Sequence, residues 1–579
     1  MSSKRMTSII LVVTCFSLNM ISQTPLRPRG DVNCDWEVTI ADVNILINSI
    51  MSGEKYHPLY SYAHDVNGDQ EITIADVNAV IGAILGDKLA PMPSPSGTLP
   101  VMYVNTDGYR SITGKEKEDY LQAEWWIDAM GVQGYESLGD SEHPLGMVIK
   151  GRGNYTWEHM DKKPYRLKFD TKQKPLGMKR NRHFCLLGHD LWTNPFGFEL
   201  SRRIGLAYTP AQEPVEVVLN GQYIGLYFLT EIIRVGKNRV NIVEQKNGEE
   251  DADLITGGWL LEIGNRTEKN QFVIVEGNGR GMGVEYHSPD SLSSLQLNYI
   301  KHLIEETDSA IYASDSIGCG WGKYIDTDTL ACFYIVNEIA DDIESFSNSL
   351  FIHKQRGDST KLMFGPVWDF GCSFGRPLLE QPCFIYENIT PSFTPHWLGK
   401  MLTCTELQAA VKKHWKLLND VGALETMETY MDSVVEKINP ASVADSKRWP
   451  ENYIWYRDIR TYYERYYRLK MREKINFLHE QWDSRDMGDL LTPFTRKPDP
   501  NADYQEYCGL SHVIKDGKII YKGMRYNPDN MTGVDEVVAD MTRRPYDPNY
   551  YNLTGQSMGV EVPTTPGIYI HNGKKIVVR

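Results

Sequence analysis

The stretch EPVEVVLNGQYIGLYFLTEII (213–233) reads as two strands joined by a tight turn. Asn220-Gly221 sits between two runs rich in Val, Ile, Tyr and Phe, and both turn residues tolerate a left-handed backbone. Outward from it lie more strand-like runs: LPVMYVNT (99–106), GMVIKGRGN (146–154) and KPYRLKFD (163–170). In KKPYRLKF (162–169) the alternation sets Arg166 and Lys168 on one face, with Tyr165, Leu167 and Phe169 on the other. Helical periodicity follows at 295–306, 325–340, 405–417 and across 455–482. Strands first and helices later predict an α+β domain, here spanning 100–490.

At 579 residues the chain exceeds one hydrophobic core, so it is read as multidomain. Its 61 Lys and Arg stand against 76 Asp and Glu, a net charge of −15, which excludes a general nucleic-acid footprint. Lys4 and Arg5 precede an apolar run from Ile9 to Phe16, predicting a signal peptide over 1–24. Simple cleavage is preferred to lipid attachment at Cys15, because Thr14 precedes that cysteine and the apolar run continues past it. No later segment offers 18 consecutive apolar residues, so no transmembrane segment is expected after signal removal. The remaining eight cysteines lack CxxC spacing, which argues against a zinc ribbon and leaves disulfides and buried thiols both open.

Residues 31–52, DVNCDWEVTIADVNILINSIMS, repeat as DVNGDQEITIADVNAVIGAILG at 65–86. Asp31, Asn33, Asp35, Glu37 and Asp42 fall at positions 1, 3, 5, 7 and 12 of a calcium loop; Asp65, Asn67, Asp69, Glu71 and Asp76 do so in the second copy. Oxygen donors on alternate residues wrap one hard Ca²⁺ ion, with position 7 offering its backbone carbonyl. Each loop runs into an apolar helical pattern, giving a small all-α module. The duplicated loop and helix resemble a type I dockerin over 25–90, which implies a cohesin-like protein partner. Position 6, usually Gly for the sharp turn, is Trp36 and Gln70 here, which lowers the expected calcium affinity. The Pro-, Ser- and Gly-rich stretch that follows predicts a tether over 91–99.

Six blocks then run in order: IKGRGNYTW (149–157), KKPYRLKF (162–169), FELSRRIGL (198–206), 215–242, GGWLLEI (257–263) and GPVWDFGCSFG (365–375). They resemble the CotH (spore-coat protein H) kinase family, an atypical protein-kinase-like fold. That resemblance implies transfer of phosphate from ATP, with Mg²⁺, to Ser or Thr of a protein substrate. Such chemistry needs metal-binding carboxylates, a cation on the phosphates and a base near the acceptor hydroxyl. The resemblance makes Asp369 the metal-binding Asp and puts Glu344, within VNEIADDIESFSNSLFIHKQ (336–355), at the catalytic Asp position. Glu344 is one methylene longer than Asp; Asp341 and Asp342 are alternatives, and Asn348 assists the metal. Gly371 stands where a second acidic residue often follows the metal Asp. Lys168 or Arg166 supplies the phosphate cation, Glu231 and Glu262 are candidate ion partners or nucleotide contacts, and Arg152 in GRGN sits in a loop suited to phosphates.

Residues 491–545 are Pro-, Asp- and Asn-rich and read as a connector. The final segment, 546–579, alternates around Asn572-Gly573 as a short C-terminal β element. It resembles C-terminal sorting domains of type IX secretion cargo; an ordinary hairpin is the alternative. These readings point to a protein secreted from, or held at the surface of, a Gram-negative bacterium. Two functions follow: a CotH-like kinase tethered through its dockerin, or a catalytically impaired binding or scaffold protein (pseudokinase or adhesin) assembled through dockerin and cohesin. No acidic pair in a recognisable glycosidase block supports a carbohydrate-active enzyme.

Overall fold

The computed structural model describes residues 26–52, 64–68, 71–89, 92–264, 270–313, 320–374, 384–387, 395–453 and 458–483, and short strands between 505 and 578. The expected signal peptide over 1–24 with Cys15, and Asp69 and Gln70 of the second loop, lie outside the described residues. Two compact units emerge. One takes the chain up to Gly188 with Glu213–Leu229 and Pro440–Asn452; the other takes His189–Gln212, Thr230–Asn439 and the chain from Tyr453.

The first unit begins with helices α1 (Ile40–Ser52) and α2 (Ile74–Ile84). Val43, Leu46, Val66, Val77 and Val80 bury together between the two repeats, so each copy covers the apolar face of the other. Seven strands follow: β1 (Val101–Thr106), β2 (Leu121–Asp128), β3 (Leu145–Gly151), β4 (Tyr165–Gln173), β5 (Asn181–Leu187), β6 (Gln212–Leu219) and β7 (Gln222–Glu231). They close into a barrel in the order β1-β2-β3-β4-β5-β7-β6, with β1 parallel to β6. Asn220 and Gly221, at φ 51° and 73°, make the expected two-residue turn between β6 and β7. The alternation read in β4 also holds: Tyr165, Leu167 and Phe169 are buried while Arg166 and Lys168 are half-buried. Barrel closure was not anticipated, because β2 and β5 carry charged residues that mask their period. The expected tether differs too: Ser96 donates from its backbone N and its Oγ to the buried Glu216 of β6, at 2.9 and 2.6 Å.

Inside this unit Lys162 and Asp445 form a fully buried ion pair at 2.7 Å, and Asp445 also accepts from Leu226 N at 2.8 Å. Removing one charge strands the other. Lys162→Met is therefore expected to cost about 3 kcal/mol, read as a lower denaturation midpoint.

The second unit carries helices α3 (Thr193–Ile204), α4 (Ser294–Tyr312), α5 (Thr327–Ile339) and α6 (Thr405–Asp420). Helix α7 (Met427–Arg448) gives its last turns, from Pro440, to the first unit, and α8 (Arg468–Trp482) follows. The pattern across 455–482 resolves into a short α-turn, a π-helical turn at Tyr463–Tyr467 and then α8. The second unit also holds a five-stranded sheet, contrary to the strands-then-helices order: β8 (Trp259–Gly264), β9 (Gln271–Val275), β10 (Gly281–Ser288), β11 (Leu350–Lys354) and β12 (Leu362–Phe364), arranged β12-β11-β8-β10-β9. No described helix is long and apolar enough to cross a membrane. Within 491–545 three short strands, Gln505–Glu506, His512–Lys515 and Lys518–Tyr521, pair as a sheet, where a connector was expected. At the C-terminus Tyr550–Asn552, Ser557–Gly559, Gly567–His571 and Lys574–Val578 form a four-stranded sheet; the Asn572-Gly573 turn lies outside the described residues. Cys34, Cys185, Cys332 and Cys372 are thiols, and Cys404 is disulfide-bonded.

Candidate functional site

Three loop segments of the second unit bring four carboxylates together. Asp190 precedes α3, Asp342 and Glu344 follow α5, and Asp369 follows β12. Asp190, Asp341 and Asp369 all adopt a left-handed backbone, at φ 56°, 51° and 61°. Aspartate tolerates that region better than most side chains, and strain of this kind concentrates at functional sites. Asn194 fixes the Asp369 turn by accepting from Phe370 N at 3.1 Å.

Asp342 is fully buried, while Asp369 is exposed. Burial pushes the Asp342 carboxyl well above its usual range, and the negative charges of Glu344 and Asp369 push it further. Asp190 is pushed up to about 7 by burial and then by Asp369 and Glu344. Glu344 is held from both sides. Asn348 Nδ2 donates to its Oε1 at 3.0 Å, and Cys372 Sγ donates to its Oε2 at 3.0 Å. That thiol is pushed far up by burial and by Glu344 and Asp342. Gly371, where a further acid was expected, lies where a Cβ would come 3.2 Å from Asp190 Oδ2. Asp190 thus brings a carboxylate to the space beside it.

The donor set suits a divalent cation. Asp342 Oδ2 is buried with no hydrogen-bond partner among the described residues, and an unpaired buried oxygen among like charges is costly unless a cation joins it. Glu344, Asp369 and Asn348 from the sequence reading therefore come together. Asp190 was missed because LLGHD (186–190) carries no motif, and Asp342 was read only as a substitute for Glu344.

The cations read from the sequence lie on the barrel. Arg166 of β4 stands directly across from Lys150 of β3, and Lys168 across from His183 of β5. Lys150 is held below its usual range by burial and then by the positive charge of Arg166, against the opposing pull of Glu116 and Asp119, with Arg152 adding a smaller push. Like charges opposite one another on a sheet repel. Lys150, Arg152 and Arg166 thus make a half-buried cationic face, and Lys150 is a member the sequence reading passed over.

Glu231 is buried and paired with Arg239 at 2.5 Å; it also accepts from Tyr208 Oη at 3.1 Å. Glu262 meets His287 at 2.7 Å, with Glu285 beside them. Glu338, in the same segment as Asp342, instead holds Lys474 at 2.6 Å and accepts from Ile385 N at 3.0 Å, which anchors α8.

In the calcium loops the position-12 carboxylates act alike. Asp42 accepts from Val32 N, Asn33 N and Thr39 N at 2.7, 3.0 and 2.8 Å. Asp76 accepts from Val66 N, Asn67 N and Thr73 N at 2.7, 3.1 and 2.8 Å. Asp31 accepts from Asp35 N and Trp36 N, and the charge of Asp42 reaches it. Trp36 adopts φ 73°, the left-handed turn that position 6 requires, despite its side chain. Asn33, Asp35 and Glu37 follow on the same loop, as do Asp65, Asn67 and Glu71 on the second, so the oxygen donors fit Ca²⁺.

Residues 149–473, more than half of the chain, match the family model described as CotH kinase protein. Residues 29–85 match the dockerin type I domain. No curated protein matches the chain.

Proposed function

This chain belongs to the CotH kinase protein family and carries a dockerin type I domain, and on that premise we propose that it is an exported protein kinase. It transfers the γ-phosphoryl group of ATP to a Ser or Thr hydroxyl of a protein, and its dockerin holds it to a cohesin-like partner. The observation that carries this reading is the convergence of Asp190, Asp342, Glu344 and Asp369 around an unpaired buried oxygen. Asp342 and Asp369 are the metal-holding carboxylates, with Asn348 beside them. Bound Mg²⁺ would neutralise phosphate charge. Glu344, oriented by Asn348 and Cys372, takes the proton of the acceptor hydroxyl. Lys150, Arg152 and Arg166 make a cationic face on the barrel of the first unit, suited to an anion. The disulfide at Cys404 supports passage through an oxidising compartment.

The test is transfer of labelled phosphate from Mg²⁺-ATP by the full mature chain, to itself or to a casein-like acceptor. Label on Ser or Thr supports the reading. A silent wild type that still binds calcium and its partner favours the scaffold alternative, in which the acidic loops serve binding alone.

A further inference from the structure

The first calcium loop is built into the barrel rather than presented beside it. Trp36, at position 6 of that loop, lies over the β6–β7 turn, so that a Cβ on Gly221 would come 2.5 Å from its ring. The same ring meets Tyr109 edge-on at 6.2 Å between centroids. Arg27 N donates to Gly221 O at 2.9 Å, and the Arg27 guanidinium lies 3.7 Å from Asp31, the first ligand of the loop, both side chains being buried. Leu26 packs on the barrel cluster of Val101, Tyr103, Trp126, Val218 and Tyr223. The strap at 92–99 lands on the same hairpin, where Glu216 accepts from Ser96 and also from Tyr223 Oη at 2.7 Å.

A tryptophan forced to φ 73° is a strained choice where glycine would serve, so its ring must gain by packing what its backbone loses. The backbone that seats the ring is also the backbone that aims the loop oxygens, since Trp36 N and Asp35 N both donate to Asp31. Docking and ion binding therefore select one loop conformation, and each must favour the other.

We propose that calcium in the first loop latches the repeat module onto the β6–β7 hairpin, with Trp36 as the key, so that calcium stabilises the barrel itself. This rests on the calcium reading of the loops.

The test is hydrogen exchange of the full mature chain in calcium and in chelator, following peptides over 216–224 and, as a control, 72–80 beside the second loop. The wild type is expected to slow exchange over 216–224 at least tenfold in calcium. Trp36→Gly, which restores the residue the turn prefers, and Tyr109→Ala, which leaves the loop intact, are expected to bring that ratio below twofold while 72–80 stays calcium-protected. Protection of 72–80 without any calcium effect at 216–224 in the wild type overturns the latch and leaves the calcium reading standing. An unchanged latch effect in both variants overturns the role of Trp36. No calcium effect on either peptide overturns both readings.

Discussion

Asp369→Asn is expected, on the proposed function, to lower phosphate transfer on the order of 10³-fold, because a carboxylate that would hold Mg²⁺ against the phosphates is lost while the fold is kept. Asp369 is exposed, and its turn is fixed by the hydrogen bond from Phe370 N to Asn194 Oδ1, which the amide does not disturb. Initial rates with labelled ATP measure the loss, and a melting midpoint no lower than that of the wild type separates it from unfolding. Glu344→Asp gives the sharper companion. Matched to the family pattern, the shorter residue would be a restoration. In this chain the longer side chain is gripped at both oxygens, 3.0 Å from Asn348 and 3.0 Å from Cys372. Shortening it releases both bonds and shifts the carboxylate by about 1 Å, so a fall of roughly 10²-fold is expected. A rise in rate would show that Asn348 and Cys372 do not set the working geometry.

The second large effect is on stability and has the opposite sign. Asp190 ionises only near 7 in the folded chain, against 3.8 for its ordinary value. The folded state therefore binds its proton more tightly. Its contribution to stability is fully present below about pH 4 and is lost as pH rises through about 7. At pH 8 the ionised, crowded carboxylate costs roughly 2–4 kcal/mol, from about 1.4 kcal/mol for each tenfold shift in proton affinity. Asp190→Asn is expected to remove most of that cost. Its denaturation midpoint at pH 8 without metal should exceed that of the wild type, and the gap should shrink at pH 4 or when Mg²⁺ is added. A variant that gains stability while losing phosphate transfer marks a site kept for chemistry at the expense of the fold. If Asp190→Asn destabilises at pH 8, the charges of Asp369 and Glu344 do not oppose ionisation of Asp190 in the folded chain.

What could be read from residues alone follows from how local each signal is. The turn of the first repeat loop at Trp36 and the Asn220-Gly221 turn are set by neighbours within a dozen positions, and both adopt the left-handed backbone that their places require. Asp369 and Glu344 came from linear blocks that resemble a family, and the charges of both reach Asp342. Asp190 stands 152 positions before Asp342, and only the fold brings it there. Lys150 was hidden for a different reason: its meaning lies in the residue across the strand, Arg166, and register is not written in either strand alone. The barrel escaped because closure depends on β1 lying parallel to β6, a pairing across more than a hundred residues. The stretch 91–99 looked free because its composition suits a tether, whereas Ser96 has a buried acid to hold.

That clasp has a mechanical consequence. Nine residues of loose chain would let their ends wander by about 16 Å. With Ser96 pinned to Glu216, most of that wander is gone. Whatever grips the N-terminal repeats then carries the barrel at a set bearing, like a tool on a fixed mount rather than on a cord.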